Sequence, residues 1–162
     1  MEPGARILDF GCGSGRDTKY FLNRGYQVDA IDGSDKLVKL ASEHTGITIK
    51  QTLFQDLNSD GMYDGIWACA SILHLNQEAL TDVFYKMGKA IVPKGILYVS
   101  FKYGTDELFR DGRYYIDMTE EKLKSFSFIE ELYVVLEEWK SVDVRPGRDN
   151  ESWLNIILQR KN

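Results

Sequence analysis

Along the first hundred positions, short apolar runs alternate with stretches whose apolar residues recur at helical spacing. Ala5 to Phe10 (ARILDF) is an apolar run that meets glycines at once, the pattern of a strand feeding a tight turn. Arg16 to Asn23 reads as a helix ended by Gly25, and Tyr26 to Ile31 as a second strand that stops at Asp32. Ser34 or Asp35 caps the next helix, which carries Leu37, Val38 and Ala41 on one face. Ile47 to Ile49 predicts a short third strand, Tyr63 to Ala70 a fourth, and Gln77 to Ile91 a helix. Pro93, Lys94 and Gly95 turn the chain into a fifth strand, Ile96 to Phe101.

Alternation at this pitch predicts an α/β fold, a mostly parallel sheet covered by helices. The pattern then changes. Thr119 to about Leu132 predicts one helix, and Val134 to Val144 with Trp153 to Leu158 predict an antiparallel strand pair at the sheet edge. Residues 1–162 read as one domain, without repeat or linker. Few residues precede the first strand, so a covering helix ahead of it is expected to be missing. The site is then open on one side or completed by a partner, and a homodimer stays open.

Composition adds exclusions. A formal net charge of -5 argues against a nucleic-acid partner, which a broad basic surface would serve. No apolar run reaches membrane-span length, and no signal-peptide order opens the chain. Cys12 and Cys69 lie in apolar segments, which suits buried thiols in a reducing compartment, so cytoplasm is the expected location. With two cysteines and two histidines, His44 and His74, a metal site is poorly supplied.

Candidate chemistry concentrates in Asp9-Phe10-Gly11-Cys12-Gly13-Ser14-Gly15. Glycines at 11, 13 and 15 let backbone turn sharply and approach a ligand closely. The third glycine arrives too early for a dinucleotide fingerprint, and Gly-Lys-Ser/Thr is absent, so neither nicotinamide nor a phosphate loop fits well. Asp32, ending the second strand, is placed to accept both hydroxyls of a ribose. Asp56 can accept from an adenine amino group, the Leu57 N–H can serve the ring, and Asp9 can meet an ammonium. The bland alternative is that all three are turn or cap residues, where Asp commonly goes; the combination favours the ligand role, at Asp32 before Asp56.

The order D-x-G-x-G-x-G, then Asp32, then Asp56, then Tyr63-Asp64-Gly65-Ile66-Trp67-Ala68, resembles the class I methyltransferases that use S-adenosylmethionine. Ala68 to Leu75 and Pro93-Lys94-Gly95 match that family's fourth-strand end and its turn before strand five. The resemblance implies a Rossmann-like sheet of seven strands in order 3-2-1-4-5-7-6 with strand 7 antiparallel. It implies a cofactor site at Asp9, Gly11, Cys12, Gly13, Gly15, Asp32, Gly33, Asp56, Leu57 and Ala70. More narrowly, the chain resembles a small bacterial branch labelled tellurite-resistance methyltransferases.

For the acceptor, Arg110-Asp111-Gly112-Arg113 and Arg145-Pro146-Gly147-Arg148 form two matching signatures. If the strands before them are parallel to the first, both emerge at the sheet's carboxyl edge. Their guanidinium forks suit a small anionic acceptor, and Lys102, Tyr103, Tyr114, Tyr115 and Trp153, near these signatures in sequence, can supply an amine, hydroxyls and aromatic walls. The bland reading is that these arginines pair with nearby acids and tie loops together. His74 and Tyr114 are candidate bases should the acceptor carry a proton, although His74, set between Leu73 and Leu75, reads equally as a satisfied packing residue. Competing readings are a non-catalytic cofactor-binding or partner-binding domain, a nicotinamide oxidoreductase, and a nucleic-acid methyltransferase.

Overall fold

The computed structural model describes residues 1–162. In chain order the elements are β1 (Arg6–Phe10), α1 (Arg16–Asn23), β2 (Gln27–Asp32), α2 (Asp35–Thr45), β3 (Lys50–Gln51), β4 (Tyr63–Ala68) and α3 (Gln77–Ala90). There follow β5 (Ile91–Lys102), β6 (Glu107–Arg110), β7 (Arg113–Ile116), α4 (Glu120–Lys124), α5 (Ser127–Leu132), β8 (Tyr133–Val142) and β9 (Ser152–Arg160). Seven strands form one sheet in the order β3-β2-β1-β4-β5-β9-β8. Pairs from β3 to β5 are parallel, while β9 is antiparallel to both its neighbours. That is the expected seven-stranded order with its one reversed strand, and it aims the end of β8 at the same edge as the end of β5.

Period-two alternation on β5 sets the layers. Leu97, Val99 and Phe101 are fully buried in the main core, with Leu8, Phe10, Ile66, Leu154, Ile156 and Leu158 from the other strands. The covering layer comes from α3, which Asn76 caps by accepting from the Ala79 N–H at 2.9 Å. Its Leu80, Val83, Phe84 and Met87 are buried, and Phe84 stacks on Phe128 of α5 at 4.3 Å. Each such side chain contributes roughly 2 kcal/mol of burial. On the opposite face α1 and α2 cover a smaller cluster of Cys12, Ala30, Ala41 and Ile49. Beyond them Trp67 stacks on Tyr98 at 3.9 Å, in an apolar groove of about 220 Å³ that also takes in Trp139.

Four local expectations are corrected. The third strand is Lys50–Gln51 rather than Ile47–Ile49, because side chains of α2 take the donors that a strand would need. Ser42 Oγ accepts from the Ile49 N–H at 3.1 Å and Thr45 Oγ1 from the Ile47 N–H at 3.4 Å. The fifth strand begins at Ile91, taking in Pro93 and Lys94 through an irregular register against β4. The single helix expected over Thr119–Leu132 is split into α4 and α5. Ser125 Oγ donates to the Lys122 carbonyl at 2.7 Å, and Phe126 is extended so that its ring stacks on Phe128 at 5.0 Å. The fourth correction is the largest: Arg110-Asp111-Gly112-Arg113 is no loop but the tip of a hairpin formed by β6 and β7. Asp111 (φ 50°) and Gly112 (φ 74°) are both left-handed, as a tight two-residue hairpin turn requires.

Candidate active site

The glycine turn leaves β1 and closes at the start of α1. Gly11 has φ +89°, and a Cβ there would lie 2.5 Å from the Ser71 Cβ and 3.0 Å from the Phe54 ring. Gly13, at φ +56°, has open space where its Cβ would stand. Asp32 holds the turn from β2: Oδ2 accepts from the Gly13 N–H and Oδ1 from the Ser34 N–H, each at 2.9 Å. Each oxygen keeps a lone pair for a further donor, as two ribose hydroxyls would need. Beneath the turn a cavity of about 260 Å³ is lined by Asp9, Gly11, Cys12, Gly13 and Ala70, with Arg16, Asp17 and Cys69 beside them.

Asp9 is 2% exposed and accepts from Thr18 Oγ1 at 2.6 Å. Burial pushes its carboxyl up to about 6, against the lowering hydrogen bond from Thr18. A cation such as an ammonium beside it would restore the charged form. Burial also pushes the Cys12 thiol up to about 12, helped by the charges of Asp9 and Asp32. At Asp17 burial acts upward, yet the hydrogen bonds from Arg16 and Trp67 win and the carboxyl is lowered. An open cradle at Gly13, a backbone-anchored Asp32 and a buried acid at Asp9 fit a ligand with a ribose and a cationic tail.

Arg16, Cys69 and Ala70 also line a second cavity of about 550 Å³, so the two spaces share a wall. Leu73, Tyr98, Tyr115, Val142, Val144 and Trp153 give it apolar and aromatic walls. Five cations face it, Arg16, Lys102, Arg113, Arg145 and Arg148, against one carboxylate, Asp143. Four of the five are partly satisfied. Asp143 takes the Arg145 guanidinium, together with its N–H at 3.0 Å and the Trp153 indole N–H at 3.0 Å. Glu151 accepts from Lys102 at 2.7 Å and lies 3.7 Å from Arg148, while Arg16 pairs with Asp17 at 2.7 Å. Arg113 makes no ion pair or side-chain hydrogen bond.

The sequence candidates separate on this map. Arg113, Arg145, Arg148, Trp153 and His74 meet in the larger cavity. Arg110 and Tyr103 instead line a neighbouring space of about 400 Å³ with Arg148. There Arg110 binds Asp117 at 2.9 Å, and the Tyr103 hydroxyl donates to Glu120 at 3.0 Å. Tyr114 lines neither space, its hydroxyl donating to Glu107 at 2.9 Å. Gly15 serves packing: a Cβ would meet Thr45 at 2.8 Å and Ala41 at 3.1 Å, where α1 closes on α2. The Leu57 N–H is already given to the Phe54 carbonyl at 3.2 Å. The Asp56 carboxylate is free, and Gly33 lies against Leu53.

Sequence reasoning named Tyr115 and Lys102 beside the arginine signatures, and both line the cavity, but it missed Tyr98, Ser100 and Asn155. The signal was period two: Tyr98, Ser100 and Lys102 share the face opposite the β5 core residues. Across the register Tyr98 donates to Asn155 Oδ1 at 2.7 Å, and Asn155 Nδ2 donates to Ser141 Oγ at 2.9 Å.

Comparison with known proteins fixes the lineage of this arrangement. A family model described as a methyltransferase domain matches residues 7–95, more than half of the chain and all of the turn, Asp32 and β4. The chain belongs to the class I S-adenosylmethionine-dependent methyltransferase family. Over 97% of its length this methyltransferase is 24% identical to an uncharacterized methyltransferase of Staphylococcus carnosus, of which it covers 73%. Over 62% of its length it is 31% identical to a ubiquinone biosynthesis O-methyltransferase of Xanthomonas axonopodis, of which it spans 44%, less than half. Among solved structures, the Burkholderia thailandensis 1,6-didemethyltoxoflavin-N1-methyltransferase, with that substrate and S-adenosylhomocysteine bound, matches at a TM-score of 0.81. That match is 20% identical and covers 99% of this chain and 72% of the other.

Proposed function

We propose that this methyltransferase transfers the methyl group of S-adenosylmethionine to a small anionic acceptor held in the 550 Å³ cavity. One observation carries the reading: five cations face a single carboxylate in a space that shares Arg16, Cys69 and Ala70 with the glycine cradle. Gly11, Gly13, Asp9 and Asp32 hold the cofactor, and Asp56 meets its adenine. S-adenosylmethionine, when bound, supplies a methyl group already activated on a sulfonium. The protein's part is to align the acceptor behind it and exclude water. Arg113 takes the acceptor's anion, and Trp153, Tyr115 and Leu73 flank its body.

The named O-methyltransferase and N-methyltransferase relatives support a small-molecule acceptor. The narrower likeness to the tellurite-resistance branch adds tellurite, an oxyanion, to the compounds worth offering. Two free thiols support a cytoplasmic setting, and no helix is long and apolar enough to cross a membrane.

Calorimetric titration with S-adenosylmethionine, with NAD alongside, tests the cofactor. Release of S-adenosylhomocysteine over a panel of small carboxylates, phenolic acids and oxyanions then tests the acceptor. One-site binding of the sulfonium cofactor alone, with turnover confined to anions, is the expected result. Selective NAD binding would overturn the reading in favour of an oxidoreductase. Binding without turnover across the panel would favour a non-catalytic domain.

A further inference from the structure

We propose that His74 is the general base of the transfer, poised through a fixed tautomer by the β6–β7 hairpin, and that the acceptor therefore presents an ionisable O–H or N–H. The inference rests on the methyltransferase reading and adds the identity of the proton acceptor.

His74 ends a single helical turn after β4 and lines the larger cavity. Its Nδ1 stands 3.0 Å from the carbonyl oxygen of Tyr114. A carbonyl only accepts, so Nδ1 carries the proton, and in the neutral ring Nε2 bears the lone pair. No side chain occupies Nε2. The ring is also fixed edge-on against Tyr115, with centroids 4.6 Å apart.

The carbonyl is itself held in place. Glu107, paired with Ile116 and diagonal to Tyr114 across the hairpin, collects Gln77 at 2.6 Å, Lys122 at 2.9 Å and the Tyr114 hydroxyl at 2.9 Å. That clamp ties β6 and β7 to α3 and α4 and sets where the Tyr114 carbonyl falls. Glu107 is thus a positioning residue, acting on His74 through backbone.

No other group in the cavity suits the task. Burial pushes the Cys69 thiol up and the Tyr98 hydroxyl up to about 12, so both keep their protons. Asp143 is taken by Arg145 and Trp153, and Tyr115 is a phenol, an acid rather than a base. The remaining charges that face the space are the cations of Arg16, Lys102, Arg113, Arg145 and Arg148. In the step, the acceptor's proton passes to His74 Nε2. The freed electron pair forms the new bond to the methyl carbon while the S–CH3 bond breaks, its electrons staying on sulfur. The imidazolium, still donating through Nδ1 to Tyr114, then returns the proton to solvent.

The chain holds only two histidines, so nitrogen-15 spectra of the labelled protein with cofactor can be assigned with a His44→Gln variant. Neutral His74 is expected with Nδ1 protonated and Nε2 bare, and Glu107→Gln should mix the two tautomers. A His74 protonated at Nε2 would overturn the proposal whether or not an acceptor is known. With an acceptor from the panel, His74→Gln should lower kcat by about 10²–10⁴-fold, remove the acid limb of the pH profile and leave cofactor affinity unchanged. The loss should shrink to under about tenfold for an acceptor already ionised at the reacting atom. An unaltered pH profile in His74→Gln would sink the idea, whereas failure to bind S-adenosylmethionine would sink the methyltransferase reading instead.

Discussion

Around Gly13 the site is shaped by backbone: a left-handed turn, an N–H fixed by Asp32, and an absent side chain where a ligand would lie. Around Arg113 it is shaped by side chains borne on a two-residue hairpin tip and on the loop after β8. The first half admits little substitution, because space and dihedral angle leave few residues acceptable. The second can change its chemistry by changing a side chain. A shared cofactor and a variable acceptor call for that division, and it makes the two halves separable by experiment.

The largest expected effect is on the backbone half. Gly13→Ala adds a methyl that meets no protein atom, so the fold should survive with about 1 kcal/mol of left-handed strain. Cofactor affinity should nevertheless fall about 100-fold or more, since close backbone approach is lost. Gly11→Ala is the control. Its Cβ would strike Ser71 and Phe54, so stability itself should fall by about 3 kcal/mol. Thermal melts and calorimetry on the pair distinguish a cradle from a mere turn.

On the side-chain half, Arg113→Ala should raise the acceptor KM about 10–100-fold, the loss of a charged hydrogen bond, with cofactor affinity unchanged. An equal loss in both affinities would show that the halves are not separable.

Asp9 gives a third effect. Its folded-state value near 6 exceeds the ordinary 3.8, so the folded chain binds the proton more tightly than the unfolded chain does. Stability should therefore fall as pH rises through that window, by about 3 kcal/mol in all. Binding of a cationic cofactor moves the opposite way, weakening about tenfold per pH unit below about 6. Calorimetric titrations from pH 5 to 8, repeated on Asp9→Asn, separate the two; the variant should be the more stable at pH 7 and the poorer binder. The smallest effect belongs to Arg145→Ala. Its guanidinium is already bound by Asp143, and the acceptor KM should change less than about fivefold.

The backbone half was the more legible in sequence for the same physical reason. Closely spaced glycines after an apolar run have few structural uses, and α1 begins and ends where its apolar spacing places it. Gly15 and Leu57 show the limit of that legibility. Whether a glycine makes room for a ligand or for a neighbouring helix, and whether an N–H is free, depends on packing that spacing does not encode. The hairpin was legible and overlooked: Asp111-Gly112 between Leu108-Phe109 and Tyr114-Tyr115 is a strong turn signal. Reading the arginines as a loop obscured it. Tyr115 was then a candidate only by its nearness in sequence, and the Tyr114 carbonyl stayed out of view, because only the paired strands place one in the cavity and the other on His74.

The β6–β7 hairpin forms a two-stranded sheet of its own, outside the seven-stranded order. Mutations along residues 107–116 can therefore accumulate without breaking a hydrogen bond of the main sheet. In a lineage under selection for new acceptors, the tip and outward-facing positions of this ribbon can be rewritten while Ile116 stays in the core, Glu107 and Tyr114 keep their hold on His74, and the machinery for the methyl donor is inherited intact.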